Sequence, residues 1–503
     1  MGSPTPSSPT DPRARLRERL REIDDLGHAA RVLGWDQQVM MPPGGTAARG
    51  RAAGTIDRLA HERLVDPEIA ALLDAAEAAG EDPGLVRAVR RDHERARLVP
   101  GALVAEIAEA AADAHPVWAR ARETSDFALF APALGRNVEL RRRMAEHLAA
   151  GDATYDHPYD ALLDGYEPGA TTATVRDVFG RLQAGLLPLI TAIAGRPAPA
   201  PITGTFPIDA QRTLVTEMAR SIGYEDDAWR LDVSTHPFSQ KVGPGDVRIT
   251  TRYRDDDPLD GILSALHEVG HGLYEHQIDA ELAGTTTDTG TSLGIHESQS
   301  RLWENQVGRS RAFWEHWYPR ARELFGDALA DVPLDRWHAA MNAVRPSLIR
   351  VDADEVTYAM HVVLRFELEV ALVEGTIAVA DLPAAWSARM EELLGVTVPD
   401  DAHGVLQDIH WSFGELGYFP TYTLGTIASA QLWDAAREAL PGLEASIAAG
   451  DPSPLRGWLR EHVHRHGATR TGDEILREAT GSALDPEPLL RYLTTKYSAL
   501  YGL

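Results

Sequence analysis

Cysteine is absent from all 503 residues. That excludes structural disulfides, thiolate metal sites and cysteine nucleophiles, so any metal has to sit on histidine and carboxylate. No run of 18 apolar residues occurs either, and the N-terminal MGSPTPSSPTDPRAR lacks the apolar segment of a secretory signal. The expectation is a cytoplasmic protein without a membrane partner, with a short disordered head over residues 1–12. Positive charge is also short: 49 Lys and Arg against 75 Asp and Glu give a formal net charge of −26. Nucleic acid and anionic lipid both need a positive face, so neither is expected as a partner. Hydrophobic content of 44% and charged content of 25% are those of a globular chain, long enough for a large core.

The most informative stretch is DPLDGILSALHEVGHGLYEHQID, Asp257 to Asp279. Apolar residues recur at Leu259, Ile262, Leu263, Leu266, Val269, Leu273 and Tyr274, while Asp260, Ser264, His267, Glu268, His271 and Glu275 follow a second stripe. The spacing predicts a helix, with Asp257 as its N-cap and Pro258 in its first position. Residues four apart share a helix face, so His267 and His271 can present imidazole nitrogens to one cation with Glu268 beside it. In the HExxH pattern two neutral imidazoles hold zinc and the glutamate takes a proton from an activated water. The bland alternative is a pair of core histidines bonded to backbone carbonyls, and a third ligand would decide between the two.

Before that helix the chain reads as a series of Ala, Arg, Leu and Glu rich helices to about residue 195, broken by WDQQVMMPPGG (Trp35 to Gly45) and by the loop from Gly151 to Thr172. Aromatic and methionine side chains in the first of these breaks imply that it packs against something. GRPAPAPITG (Gly195 to Gly204) then punctuates the sequence, and TFPIDAQ, WRLDVS and DVRITTRY behind it read as strands. Val247, Ile249, Thr251 and Tyr253 alternate with Asp246, Arg248, Thr250 and Arg252, and VGPGD supplies a turn. A small antiparallel sheet is therefore expected beside the HEVGH helix, with an edge strand along which an extended peptide could lie.

After the HEVGH helix comes the loop AGTTTDTGTSLG and then GIHESQSRLWENQVGRS, in which Glu297 is expected to open a helix. Its distance from His271 suits a helix–loop–helix that returns a carboxylate to complete a His, His, Glu site. The alternative is a glutamate favoured at a helix N-terminus by the dipole. Sequence does not say which acidic residues orient the histidines from behind.

The accumulated motifs resemble those of the carboxypeptidase Taq family of HExxH metallocarboxypeptidases. They are WDQQVMMPPGG, the HPF of His236 to Phe238, DVRIT (Asp246 to Thr250), HEVGH, HESQ, IRVDAD (Ile349 to Asp354) and GVLQ (Gly404 to Gln407). The likeness runs from about Leu33 to the C-terminal region. The family often has Glu where Gln38 stands and Ala where Val269 and Gly272 stand, departures that touch neither the ligands nor Glu268.

The resemblance implies a mainly α fold: one zincin-like, neurolysin-like helical body over residues 13–503 with a deep central groove, a small sheet and a homodimeric assembly. It implies removal of single C-terminal residues from peptides with a free C-terminus, with broad specificity, and one divalent metal per chain, zinc or sometimes cobalt. Arg350, by its place in IRVDAD, is the first candidate to bind the substrate carboxylate, and Arg248 the rival; either could instead be scaffold. His410, Tyr418 and Tyr422 are candidates to stabilise the oxyanion, by analogy with related zinc peptidases, or else they are core aromatics. His236, His296 and Gln407 fall in family motifs and are assigned to the surroundings of the site. A zinc endopeptidase or dipeptidase on a similar cleft is the closest alternative reading, and a helical scaffold with a structural metal is the next.

Overall fold

The computed structural model describes residues 11–503, so most of the expected N-terminal head lies outside the described residues. Among them are twenty α-helices and a single three-stranded sheet. The first helix, Pro12–Val39, is capped by the Asp11 carboxylate, which accepts from Arg13 N–H at 2.9 Å. It runs straight through Trp35 to Val39, so the expected break is shorter than read, ending in the Pro43–Gly45 turn. Trp35 is buried while Met40 is exposed, so the segment packs only in part as expected, and what Trp35 packs against is charge: the guanidiniums of Arg248 and Arg230 lie 4.4 and 5.2 Å from the ring centre.

The sheet departs from expectation in three ways, the first being that Ser239–Gly243, outside the three segments read as strands, is one of its strands. TFPIDAQ is not a strand, because Pro207 caps a helix that starts at Ile208, and Phe206 is tied down by one backbone bond to the Asp255 carbonyl. The strands are β1 (Trp229–Val233), β2 (Ser239–Gly243) and β3 (Asp246–Thr251), in spatial order β1-β3-β2. β2 and β3 form the antiparallel hairpin that VGPGD predicts, with Gly245 at φ +72° in the turn. β1, however, pairs with β3 in parallel, so the sheet is mixed and not antiparallel. Alternation along one strand reports which face is buried, and says nothing about the direction of its neighbours.

Two large clusters of buried apolar side chains fill the body. One gathers the helices from Gly101 to Ala194, the helix Tyr358–Glu374 and the C-terminal helix. The other gathers β1, β3, the HEVGH helix Pro258–His276 and the helices around Phe313–Phe325. The helix Pro420–Ala439 contributes to both, with Leu424 and Ile427 in the first and Ala428 and Leu432 in the second. Its neighbour Leu293–Arg301 places Ile295 in the second cluster, so the two helices carry the seam on which the candidate site sits.

Candidate metal centre

The HEVGH helix begins as its sequence predicts, with Asp257 accepting from Leu259 N–H at 3.2 Å and Pro258 in the first turn. Glu268 and Glu275 of the stripe expected to be polar are buried as well, and Asp260, Ser264, His267 and His271 are half-buried. Gly270 explains how: a Cβ there would lie 2.5 Å from the Gln299 carbonyl oxygen, so only glycine lets the following helix press this close. That helix, Leu293–Arg301, is capped by Ser292, and Glu297 lies in its middle, not at its start. The dipole account of Glu297 therefore fails, since the effect is confined to the first turn.

His267, His271 and Glu297 converge. Their candidate ligand atoms lie within 4.8 Å of one another, and Glu297 Oε2 is 3.6 Å from His267 Nε2 and 3.5 Å from His271 Nε2. Behind the triad every remaining polar atom is engaged. His267 Nδ1 donates to Glu304 Oε2 at 2.9 Å, which leaves the Nε2 lone pair facing Glu297. With His271 in the same tautomer, its Nδ1 donates to His296 Nδ1 at 2.6 Å, and His296 Nε2 donates to Glu275 Oε1 at 2.9 Å. Glu297 Oε1 accepts from Arg301 Nε at 2.7 Å, and Arg301 also reaches Glu304 at 3.2 Å. Two imidazole lone pairs and one carboxylate oxygen, each held by a partner behind it, are a donor set that fits a divalent ion of the zinc type.

The charges of His271 and Glu297 agree with that fit, whereas at His267 burial is outweighed by the carboxylates of Glu297 and Glu304, which raise its imidazole above the ordinary value, so a metal there has to displace a proton. Burial, with His296 alongside, pushes the His271 imidazole down to about 3, so it is neutral with a free lone pair. Burial opposes ionisation of Glu297, yet Arg301 and the two imidazoles hold its carboxyl well below the usual range. Glu268, beside the ligands, is pushed up to about 7 by burial, and no hydrogen bond offsets this.

Further along the seam the late candidates also come together. Arg350 lies 4.9 Å from the Tyr422 ring centre, and His410 Nε2 is 3.2 Å from the Tyr422 hydroxyl. Tyr418 packs edge-on against Tyr422 with ring centres 5.4 Å apart. Tyr358 joins this group to the triad: Arg301 sits 4.3 Å over its ring, and its hydroxyl accepts from Arg350 Nη1 at 3.1 Å. Gln407 accepts from the Arg350 backbone N–H at 2.8 Å, and so ties GVLQ to IRVDAD. Arg248 stands apart, paired with Asp246 at 2.7 Å and stacked on Trp35. His236 is exposed on the turn before β2, where its carbonyl accepts from the Ser234 hydroxyl at 2.5 Å.

Sequence reasoning missed Glu304, Arg301, Glu275, Asp408 and Arg365. A signal existed for two of them, because Arg301 and Glu304 follow Glu297 by four and seven residues and so return to its face of the helix.

Comparison with known proteins agrees along nearly the whole chain. The model of the carboxypeptidase Taq (M32) metallopeptidase family matches residues 15–497. The chain is 43% identical to thermostable carboxypeptidase 1 of Thermus thermophilus over 97% of its own length and 98% of the relative's. It is 36% identical to carboxypeptidase 1 of Bacillus subtilis over 96% and 97%. The crystal structure of the M32 carboxypeptidase from Deinococcus radiodurans R1 superposes with a TM-score of 0.94 at 40% identity, covering 97% of this chain and 99% of that one. The chain belongs to the carboxypeptidase Taq (M32) metallopeptidase family, and is accordingly a metallocarboxypeptidase, a hydrolase of peptides that works with a divalent metal.

Proposed function

We propose that this enzyme removes single residues from the free C-terminus of peptides with broad side-chain tolerance, and that it works as a homodimer in the cytoplasm. His267, His271 and Glu297 hold one zinc or cobalt ion, and a bound ion of this kind acidifies water and polarises a carbonyl. Glu268 takes the proton of the attacking water and returns it to the leaving amine; a carboxyl near 7 suits both transfers. The hydroxyls of Tyr418 and Tyr422 and the imidazole of His410, which cluster together, supply donors to the carbonyl oxygen as it gains charge. Arg350 receives the terminal carboxylate with the two N–H bonds left after Asp408 and Tyr358 have taken theirs. Arg248 is assigned to holding the sheet against the first helix.

The observation that carries this reading is Tyr358, whose single ring touches both Arg301, which holds a ligand, and Arg350. A reacting carbonyl and a terminal carboxylate one residue apart need such neighbouring sites. The test is mass spectrometry of one unblocked peptide over time. Products shortened by one C-terminal residue per step support the reading; a first product cut in the interior would replace it with an endopeptidase.

A further inference from the structure

Arg365, on the helix Tyr358–Glu374, is fully buried, and its guanidinium lies against the same carboxylate as that of Arg350. Arg365 Nε and Nη2 both donate to Asp408 Oδ2, at 2.7 and 2.5 Å. Arg350 Nε and Nη2 both donate to the other oxygen, Asp408 Oδ1, at 3.0 and 2.9 Å. Among the described residues, Asp408 is the one carboxylate that ion-pairs with either guanidinium.

Two consequences follow from this division. Left alone, an arginine and a carboxylate close into a fork with two parallel bonds, one to each oxygen. Here Arg350 cannot close that fork, because Oδ2 belongs to Arg365. The trio also holds two positive charges against one negative, and in a buried site such an excess is expensive until an anion arrives. The nearest further carboxylate on the same helix makes no ion pair with either guanidinium. Glu369, one turn beyond Arg365, spends its oxygens on Trp411 Nε1, the Tyr159 hydroxyl and Gly417 N–H. His361, also fully buried, has no partner on either ring nitrogen and carries no anion to the site. Two further donors of Arg365 are taken by the Gln407 side chain at 2.8 Å and the His361 carbonyl at 2.6 Å, which leaves one Nη1 N–H on a fully buried side chain and no fork with which to meet a carboxylate itself.

We infer that Arg365 is a positioning residue for carboxylate recognition: by claiming one oxygen of Asp408 it keeps Arg350 incompletely neutralised, with donors free for the C-terminus of the peptide. This rests on the reading of Arg350 as the carboxylate receptor, and the test separates the two.

The test measures KM and kcat of the metal-loaded enzyme on a blocked dipeptide with a free carboxylate. Arg365→Gln lets Asp408 close on Arg350, so KM should rise roughly tenfold or more while kcat changes much less. Adding Asp408→Asn to Arg365→Gln restores the single positive excess, and KM should return to within about threefold of the parent. A purely structural Arg365 predicts the opposite, since removing both partners would compound the damage. Failure of the inference is therefore a folded Arg365→Gln with unchanged KM, or a double variant no better than the single one. Should Arg365→Gln not fold, Asp408→Asn alone decides: a KM at or below that of the parent supports the inference, and a tenfold rise overturns it. Arg350→Gln with unchanged KM would instead remove the underlying assignment of Arg350.

Discussion

His271 and His296 face each other through their Nδ1 atoms at 2.6 Å, and His296 passes the contact to Glu275 at 2.9 Å. His267 reaches its own carboxylate, Glu304, directly. The two imidazoles of one HExxH motif are thus oriented by different means, one by a carboxylate and one by a second histidine. Since His271 turns its Nε2 toward the ligand position, its Nδ1 must donate, so His296 must accept there and donate to Glu275.

That relay predicts a loss of metal affinity without loss of a ligand. His296→Ala and Glu275→Gln should each weaken metal binding by about 10- to 100-fold, the usual effect of removing an outer partner. Competition with a chromophoric chelator measures it. Unchanged affinity in both variants would show that the relay does not orient His271.

In the proposed mechanism Glu268 moves a proton and takes no part in holding the metal, so its removal should separate chemistry from metal. Glu268→Gln should keep the fold and the metal content while kcat falls by about a thousandfold or more. Metal analysis on the same sample as the rate assay is the check. His267→Ala should instead lose metal and activity together.

Gly425 sets how near the helix Pro420–Ala439 comes to Glu297. A Cβ at Gly425 would lie 2.6 Å from Glu297 Cβ and 2.7 Å from the Gly294 carbonyl oxygen. Gly425→Ala should cost about 1–3 kcal/mol of stability through overpacking and should weaken metal binding as Glu297 is displaced. Thermal unfolding with and without metal tests both parts. The metal-dependent gain in Tm should shrink in the variant.

Acid should expose the Arg350, Asp408 and Arg365 cluster. Burial opposes ionisation of Asp408, but the two guanidiniums hold its carboxyl well below the ordinary value of 3.8. A carboxyl depressed in the folded state adds stability that is present above its unfolded value and is lost as pH falls through the folded one. Denaturant midpoints should therefore decline progressively below about pH 4, and Asp408→Asn should make that decline shallower while lowering stability at neutral pH. An unaltered acid limb in the variant would show that Asp408 is not a source of the slope.

How much of this was legible in the sequence depended on whether a feature was local. The HEVGH helix, its Asp257 cap and the VGPGD turn are written in periods and turn residues within a few positions, whereas β2, Ser239–Gly243, has too weak an alternation to show as a strand. Glu297 lies at a distance one loop can close, and it joined the histidines although its place within its helix was misjudged. The parallel pairing of β1 with β3 was out of reach, because the alternating pattern is the same for either direction. So were Arg365 and Asp408, 43 residues apart, whose meaning lies in a shared carboxylate that only the packed helices create. Trp35 shows the opposite limit: its burial was foreseen, but not that two arginines would cover it.

In the proposed mechanism hydrolysis depends both on the His267, His271 and Glu297 centre and on a terminal carboxylate held by Arg350. Cleavage of one blocked dipeptide by the metal-loaded enzyme, measured side by side with its C-terminal amide, tests this most directly. The acid should turn over, and the amide should lose about two orders of magnitude or more in kcat/KM, given the cost of leaving a buried guanidinium without a substrate anion. Equal turnover of acid and amide would contradict it.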